Sequence, residues 1–299
     1  MTPIQMTDDQ FRTLRSIIHD RSGIWFPDAK KYILESRLGQ RLRELGIDDF
    51  DQYAMLLDVG PYQQDEFQAM FNRITINETS FFRNDAQLDV FETRILPELL
   101  EARAARKRLR VWSAACSSGE EPLTLAIQIH RTLGSRLRDW TVEILGTDIS
   151  ERMLETAASG VYPDYAMRAT PRLVKARYFT QTDGGWRIDP EVHRMVDFEV
   201  HNLRDRLAAR RHGLWDVIFC RNVMIYFDEQ MKREVTQMFA EQLAADGALF
   251  IGHSESIREL TDRFEPAGLA QGFCYRPLTA STRAATHPTA RDAARGHAA

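Results

Sequence analysis

Phe11, Leu14, Ile17 and Ile18 recur at three- and four-residue intervals, the spacing of one helix face, and Ser22-Gly23 closes the run. A second helical pattern runs from Asp28 to Leu45 and stops at Gly46, a residue suited to the position just past a helix end. Shorter helical stretches are expected around Asp49–Leu57 and Tyr62–Ile74. No β-rich run interrupts them, so residues 1–75 predict a small all-helical domain.

The pattern changes at residues 76–96, where Asn77-Glu78-Thr79-Ser80-Phe81-Phe82-Arg83-Asn84 has no clean period and reads as a connecting segment that packs on something. Residues 97–278 then alternate between short β-rich runs and helical ones. Strands are expected at Leu109–Ala114, Val142–Thr147, Val196–His201, Trp215–Cys220 and Ala248–Ile251, with helices at Pro122–Leu133 and Asp228–Leu243. Such alternation implies crossover connections and a mainly parallel, Rossmann-like sheet covered on both faces, hence an α/β domain. Residues 162–200, with Asp183-Gly184-Gly185 between candidate strands, read as a small antiparallel β-subdomain. Residues 279–299 have too few large apolar side chains to pack and are expected to be disordered.

Composition narrows the chemistry. The 299 residues carry a formal net charge of −4, which gives no general reason to bind nucleic acid. No apolar run approaches the ~20 residues of a bilayer span, and acids stand near the N-terminus where a secretion signal needs bases. A cytoplasmic protein is expected. Cys116, Cys220 and Cys274 lie far apart without metal-ligand spacing, so neither a zinc site nor a disulfide framework is expected.

Open α/β sheets bind ligands beyond the carboxyl ends of their strands. The first such end runs through Ser113-Ala114-Ala115-Cys116-Ser117-Ser118-Gly119-Glu120-Glu121-Pro122. Its small residues allow close approach, but a loop with one glycine and two acids would repel a pyrophosphate. That argues against a nicotinamide dinucleotide and for a cofactor with a cationic group and no phosphate. Asp148, at the second strand end, is placed either to accept ribose hydroxyls or to cap the helix beginning near Ser150. Arg221 and Asn222 follow a buried strand and need partners, which a ligand or the fold could supply.

The runs Val111–Pro122 and Phe219–Phe227 closely resemble signature segments of the bacterial chemotaxis-receptor glutamate O-methyltransferases, the CheR family. So do Asn77–Arg83 and Gly252-His253-Ser254-Glu255-Ser256, in the same order, and the resemblance covers essentially residues 5–277. It implies a helical N-terminal domain joined to an S-adenosylmethionine-dependent methyltransferase domain. It also implies transfer of a methyl group to glutamates of membrane chemoreceptors, by a monomer that docks on their cytoplasmic coiled-coil region. By the same resemblance, Asn77, Thr79 and Arg83 contact the cofactor from above, Glu121 meets its amino group and Ala115 lines the loop. Asp148 then holds the ribose, Asn202 and Leu203 flank the adenine, and Arg221 and Asn222 sit near the methionine portion.

Two groups could aim the substrate carboxylate, Arg83 by charge-assisted hydrogen bonds and Tyr226 by its hydroxyl. From spacing alone, Tyr226 is equally readable as a core aromatic. Lys30, Arg37 and Arg41 form a basic stripe beside the Leu34/Leu38/Leu42/Leu45 seam of the second helix. Such a stripe is ordinarily a solvated face, but the resemblance implies that it docks on acidic receptor helices. Some family members also grip a tethering peptide with the antiparallel subdomain, and the turn Thr182–Trp186 is shorter here, which argues against a tether. An enzyme for small carboxylic acids and a non-catalytic cofactor sensor remain as rivals at this point.

Overall fold

The computed structural model describes residues 4–58 and 63–278. Helices α1 (Asp8–Ser22), α2 (Lys31–Leu45), α3 (Phe50–Asp58) and α4 (Gln63–Ile74) form the N-terminal domain. Thr7 caps α1 in a capping box with Gln10, and Gly23 ends it at φ 74°. A side chain at Gly23 would come 2.5 Å from Met231 Cγ, so only glycine lets α1 end this close to the α/β domain. Leu14, Ile18, Leu34, Leu38, Leu42, Phe50 and Leu57 are buried in one core. Leu45, expected in the same seam, is 36% exposed because the helix ends there and its last turn looks outward.

The segment expected to be irregular is helical from Asp85 onward. Helix α5 (Asp85–Val90) runs through a single π turn, Phe91–Ile95, into α6 (Leu96–Ala102). Leu88, Phe91, Ile95 and Leu99 recur at three- and four-residue spacing across the π turn and are all buried.

The α/β domain alternates as expected through β1 (Arg108–Ala114), α7 (Glu120–Leu133), β2 (Thr141–Asp148) and α8 (Glu151–Ser159). An insertion follows, with β3 (Val161–Tyr162), α9 (Arg172–Tyr178), β4 (Phe179–Thr182), β5 (Gly185–Ile188) and α10 (Pro190–His193). Then come β6 (Val196–Val200), α11 (Arg206–Arg211), β7 (Trp215–Cys220), α12 (Glu229–Gln242), β8 (Leu243–Ile251), β9 (Phe264–Pro266) and β10 (Cys274–Pro277).

The main sheet has the order β6-β2-β1-β7-β8-β10-β9, parallel from β6 to β8 and antiparallel beyond. The last two strands have no sequence forecast, because three- and four-residue strands carry too little alternation to register. The small sheet, β3-β5-β4, is antiparallel as expected, but β6 belongs to the main sheet, so the β-subdomain stops short of residue 196. The expected disorder of residues 279–299 and the expected helix start at Tyr62 lie outside the described residues. No described helix is long and apolar enough to cross a membrane.

Register fixes the site. Ser113 pairs with Gly146 and Phe219, and Thr147 with Glu199, so β1, β2, β6 and β7 all release their chains on one edge of the sheet.

Candidate active site

A pocket opens at that edge, roofed by the N-terminal domain and the segment after α4. Its walls include Lys30, Asn77, Thr79, Arg83, Ala115, Glu121, Asp148, Leu203, Arg221, Asn222 and Tyr226. The sequence reading therefore gathers in one place, with three exceptions: Arg37, Arg41 and Asn202.

The loop after β1 is a tight backbone cradle. Ala115 (φ 60°), Ser117 (φ 52°) and Gly119 (φ 91°) all take left-handed conformations, which is why small residues occupy it. The Ser117 amide donates to Asp148 Oδ2 at 2.8 Å, and the Ser150 amide donates to Oδ1 at 2.9 Å. Asp148 thus serves the turn before α8 and also lines the pocket. Each carboxylate oxygen retains a free lone pair, and burial holds the group's pKa above its ordinary value, with the backbone amides opposing. It has no cationic partner among the described residues.

Glu121, at the start of α7, is largely but not fully buried, its side chain 14% exposed. Ser113 Oγ donates to its Oε1 at 2.7 Å, and Arg221 Nη1 to its Oε2 at 3.2 Å. Burial raises its pKa and Arg221 opposes the rise. Each nitrogen of the Arg221 guanidinium has a partner: Nε also donates to Gln87 Oε1 (2.9 Å) and Nη2 to the Arg83 carbonyl (2.6 Å). Gln87, buried in α5, passes its own amide protons to the carbonyls of Ile251 (2.6 Å) and Gly272 (3.0 Å). No residue pattern around Gln87 signals this role, which depends on chain segments 134 or more positions away.

Glu255 is a second hidden organiser. Its carboxylate accepts from the amides of Gly252 (2.6 Å), Asn222 (3.0 Å) and Ile225 (3.3 Å), tying down the turn that carries Asn222 and Tyr226. Asn222 sits at φ 61° within that turn. Tyr226 is half-buried in the pocket wall and not a core aromatic. Burial raises its pKa, opposed by Arg83 and Arg37, so the hydroxyl remains a donor. Arg83 Nη1 donates to the Glu78 carbonyl (2.7 Å), and its guanidinium has no carboxylate within ion-pair distance among the described residues.

Three expected sites fall elsewhere. Asn202 turns away from the pocket, its Nδ2 donating to the Arg21 carbonyl at 2.6 Å, so it joins the two domains while Leu203 alone reaches the wall. The neighbouring His201, missed in the sequence, lines the pocket instead, and its ring packs edge-on to Trp112. The basic stripe of α2 is largely consumed inside the protein. Arg41 clasps buried Glu66 with Nε (3.0 Å) and Nη2 (2.6 Å), and Tyr53 Oη donates to the same carboxylate at 2.8 Å. Arg37 Nη1 donates to the carbonyls of Ile74 (2.5 Å) and Thr75 (3.1 Å). Only Lys30 stays exposed, at the pocket rim.

Two acids, a strained small-residue cradle and no phosphate-binding glycine loop suit a ligand with a ribose and a cationic amino group. Comparison with known proteins agrees. Residues 9–75 match the family model described as CheR methyltransferase, all-alpha domain, and residues 77–273 that described as CheR methyltransferase, SAM binding domain. The chain is 37% identical to the chemotaxis protein methyltransferase of Escherichia coli K12, over 89% of this chain and 90% of the relative. It is 36% identical to that of Borreliella burgdorferi (85% and 90%) and 33% identical to chemotaxis protein methyltransferase 2 of Vibrio cholerae (88% and 91%). The chain belongs to the CheR family of S-adenosylmethionine-dependent methyltransferases that act in chemotaxis.

Proposed function

We propose that this enzyme methylates glutamate side chains in the cytoplasmic coiled-coil region of membrane chemoreceptors, giving glutamate 5-O-methyl esters and S-adenosylhomocysteine for sensory adaptation. The observation that carries the reading is the pairing, in one pocket, of an acidic cradle with two carboxylate-binding donors at its rim, Arg83 and Tyr226. S-adenosylmethionine, when bound, supplies an electrophilic methyl group on a sulfonium. Asp148 would hold its ribose, Glu121 its amino group, and Leu203 its adenine.

The chain's own task is positional. An ionised glutamate needs no general base, so rate comes from holding its carboxylate in line. Tyr226 donates one neutral hydrogen bond, and Arg83 adds a charge-assisted one. Neither may grip the ground state too tightly, because the carboxylate loses negative charge as the ester forms and only interactions stronger in the transition state than in the ground state accelerate transfer. The proposed reading is of a monomer acting from the cytoplasm on receptor arrays.

The test is incubation with methyl-labelled cofactor and membranes of the source cell. Label on a receptor, released as methanol by mild base and mapped to glutamate, supports the reading. Label that is base-stable, or confined to small molecules, overturns it.

A further inference from the structure

The insertion between α8 and β6 touches the site without lining it: among the described residues, no wall of the pocket comes from residues 161–195. It grips the segment that roofs the pocket instead. The 3-10 turn Asp164–Met167 presents the Ala166 carbonyl, which accepts from the Phe81 amide at 3.0 Å. Arg168 follows at once. Its Nη1 donates to the Thr79 carbonyl (3.0 Å) and to the Tyr165 carbonyl (2.9 Å), and its Nη2 lies 3.4 Å from Glu78 Oε1. The guanidinium rests on the Tyr165 ring, 3.9 Å from its centroid, so its own turn orients it.

Arg83 holds the neighbouring peptide. Its Nη1 donates to the Glu78 carbonyl at 2.7 Å, one residue before the carbonyl that Arg168 holds. Two guanidiniums therefore fasten successive carbonyls, one from the pocket and one from the insertion. The backbone around Arg83 needs such fastening. Phe82 (φ 54°) and Asn84 (φ 67°) both adopt left-handed conformations, which non-glycine residues hold only where their surroundings impose them. Ala166 and Thr124 anchor the amides of Phe81 and Phe82, and Arg221 anchors the Arg83 carbonyl. Freeing the Thr79 carbonyl would let the peptides at Glu78 and Thr79 turn and take the anchor of the Arg83 side chain with them. We infer that Arg168 is a positioning residue for methyl transfer. It lines no wall of the pocket, but by fixing those two peptides it holds the Arg83 guanidinium where the substrate carboxylate arrives. The inference rests on the receptor-glutamate reading above and extends it to the insertion.

The test is a double-mutant cycle in the full chain, with Arg168→Ala, Arg83→Gln and the two combined. Turnover on receptor membranes at saturating cofactor is measured beside cofactor affinity by calorimetry and melting temperature. Arg168 is exposed, so its variant should melt as the parent does. Turnover of Arg168→Ala should fall by about tenfold, within the roughly hundredfold that a displacement of about 1 Å can cost, with little change in cofactor affinity. On the Arg83→Gln background the same change should cost nothing further, because the group it positions is gone. Unchanged turnover in Arg168→Ala, or losses that multiply in the double variant, overturns the inference. So does a loss of cofactor affinity as large as the loss of turnover, which places the effect in the cofactor pocket. A parent enzyme that leaves receptor unlabelled strikes the functional reading instead.

Discussion

Arg221 Nη1 lies 3.2 Å from Glu121 Oε2, Arg221 being buried and Glu121 largely so, while Arg221 Nε and Nη2 donate to Gln87 and the Arg83 carbonyl. On the proposed reading, one guanidinium sets both the carboxylate assigned to the ligand amine and the backbone of the residue assigned to the substrate carboxylate. Arg221→Gln should cut cofactor affinity and turnover together, while Arg83→Gln should cut turnover alone. Calorimetry beside initial rates separates the two, and equal patterns would dissolve the link.

Asp148→Ala should weaken cofactor binding by about 1.5–3 kcal/mol, the range for hydrogen bonds to a charged group. Because the carboxylate also holds the amides of Ser117 and Ser150, the melting temperature should fall as well. Unchanged affinity in a folded variant would remove Asp148 from the ribose site.

Tyr226→Phe keeps the ring against the pocket wall and deletes only the donor. Turnover should drop with little change in cofactor affinity, read from single-turnover rates and calorimetry. A matched loss in both would place Tyr226 in the cofactor site.

Reversing the α2 stripe should unfold rather than merely weaken docking. Arg41→Glu sets a second carboxylate against Glu66, which is 5% exposed, and leaves that buried acid without its half-buried cation, so stability should fall. Urea melts of Arg41→Glu against Lys30→Glu check it: the first should lose stability, the second should not.

Acid pH gives a further handle. Burial holds Glu121 and Asp148 above their ordinary values of 4.5 and 3.8. A ligand that prefers their ionised forms pulls both values down, so binding expels protons in acid and affinity falls as pH drops through the raised values. For the empty protein the sign is opposite, since ionising these groups works against the folded state and lowering the pH relieves it. Calorimetry in two buffers of different ionisation enthalpy should show proton release that grows as the pH is lowered into the acid range.

Much of this was legible in the chain because it is local. Helical spacing located Leu34, Leu38 and Leu42, and polar residues at strand ends located Glu121, Asp148 and Arg221. Most of what was missed depends on distant partners. A helical wheel places Arg37 and Arg41 beside the leucine seam but cannot know that α4 brings Glu66 and the Ile74 carbonyl against them. One miss was local: the expected connecting segment extends the aperiodic run before Asp85 through α5 and α6, although Leu88, Phe91, Ile95 and Leu99 keep helical spacing. Asn202 was carried to the cofactor from a family pattern, although its amide faces Arg21 of the other domain.

The antiparallel bridge between Ile24 and Phe227 has an engineering consequence. Exchanging residues 1–75 for those of a relative, the obvious way to redirect substrate choice, would also exchange the strand that braces Tyr226 and one wall of the cofactor pocket. Selectivity and catalytic competence are therefore inherited together, and a working chimera has to carry its matching Phe219–Phe227 segment with it.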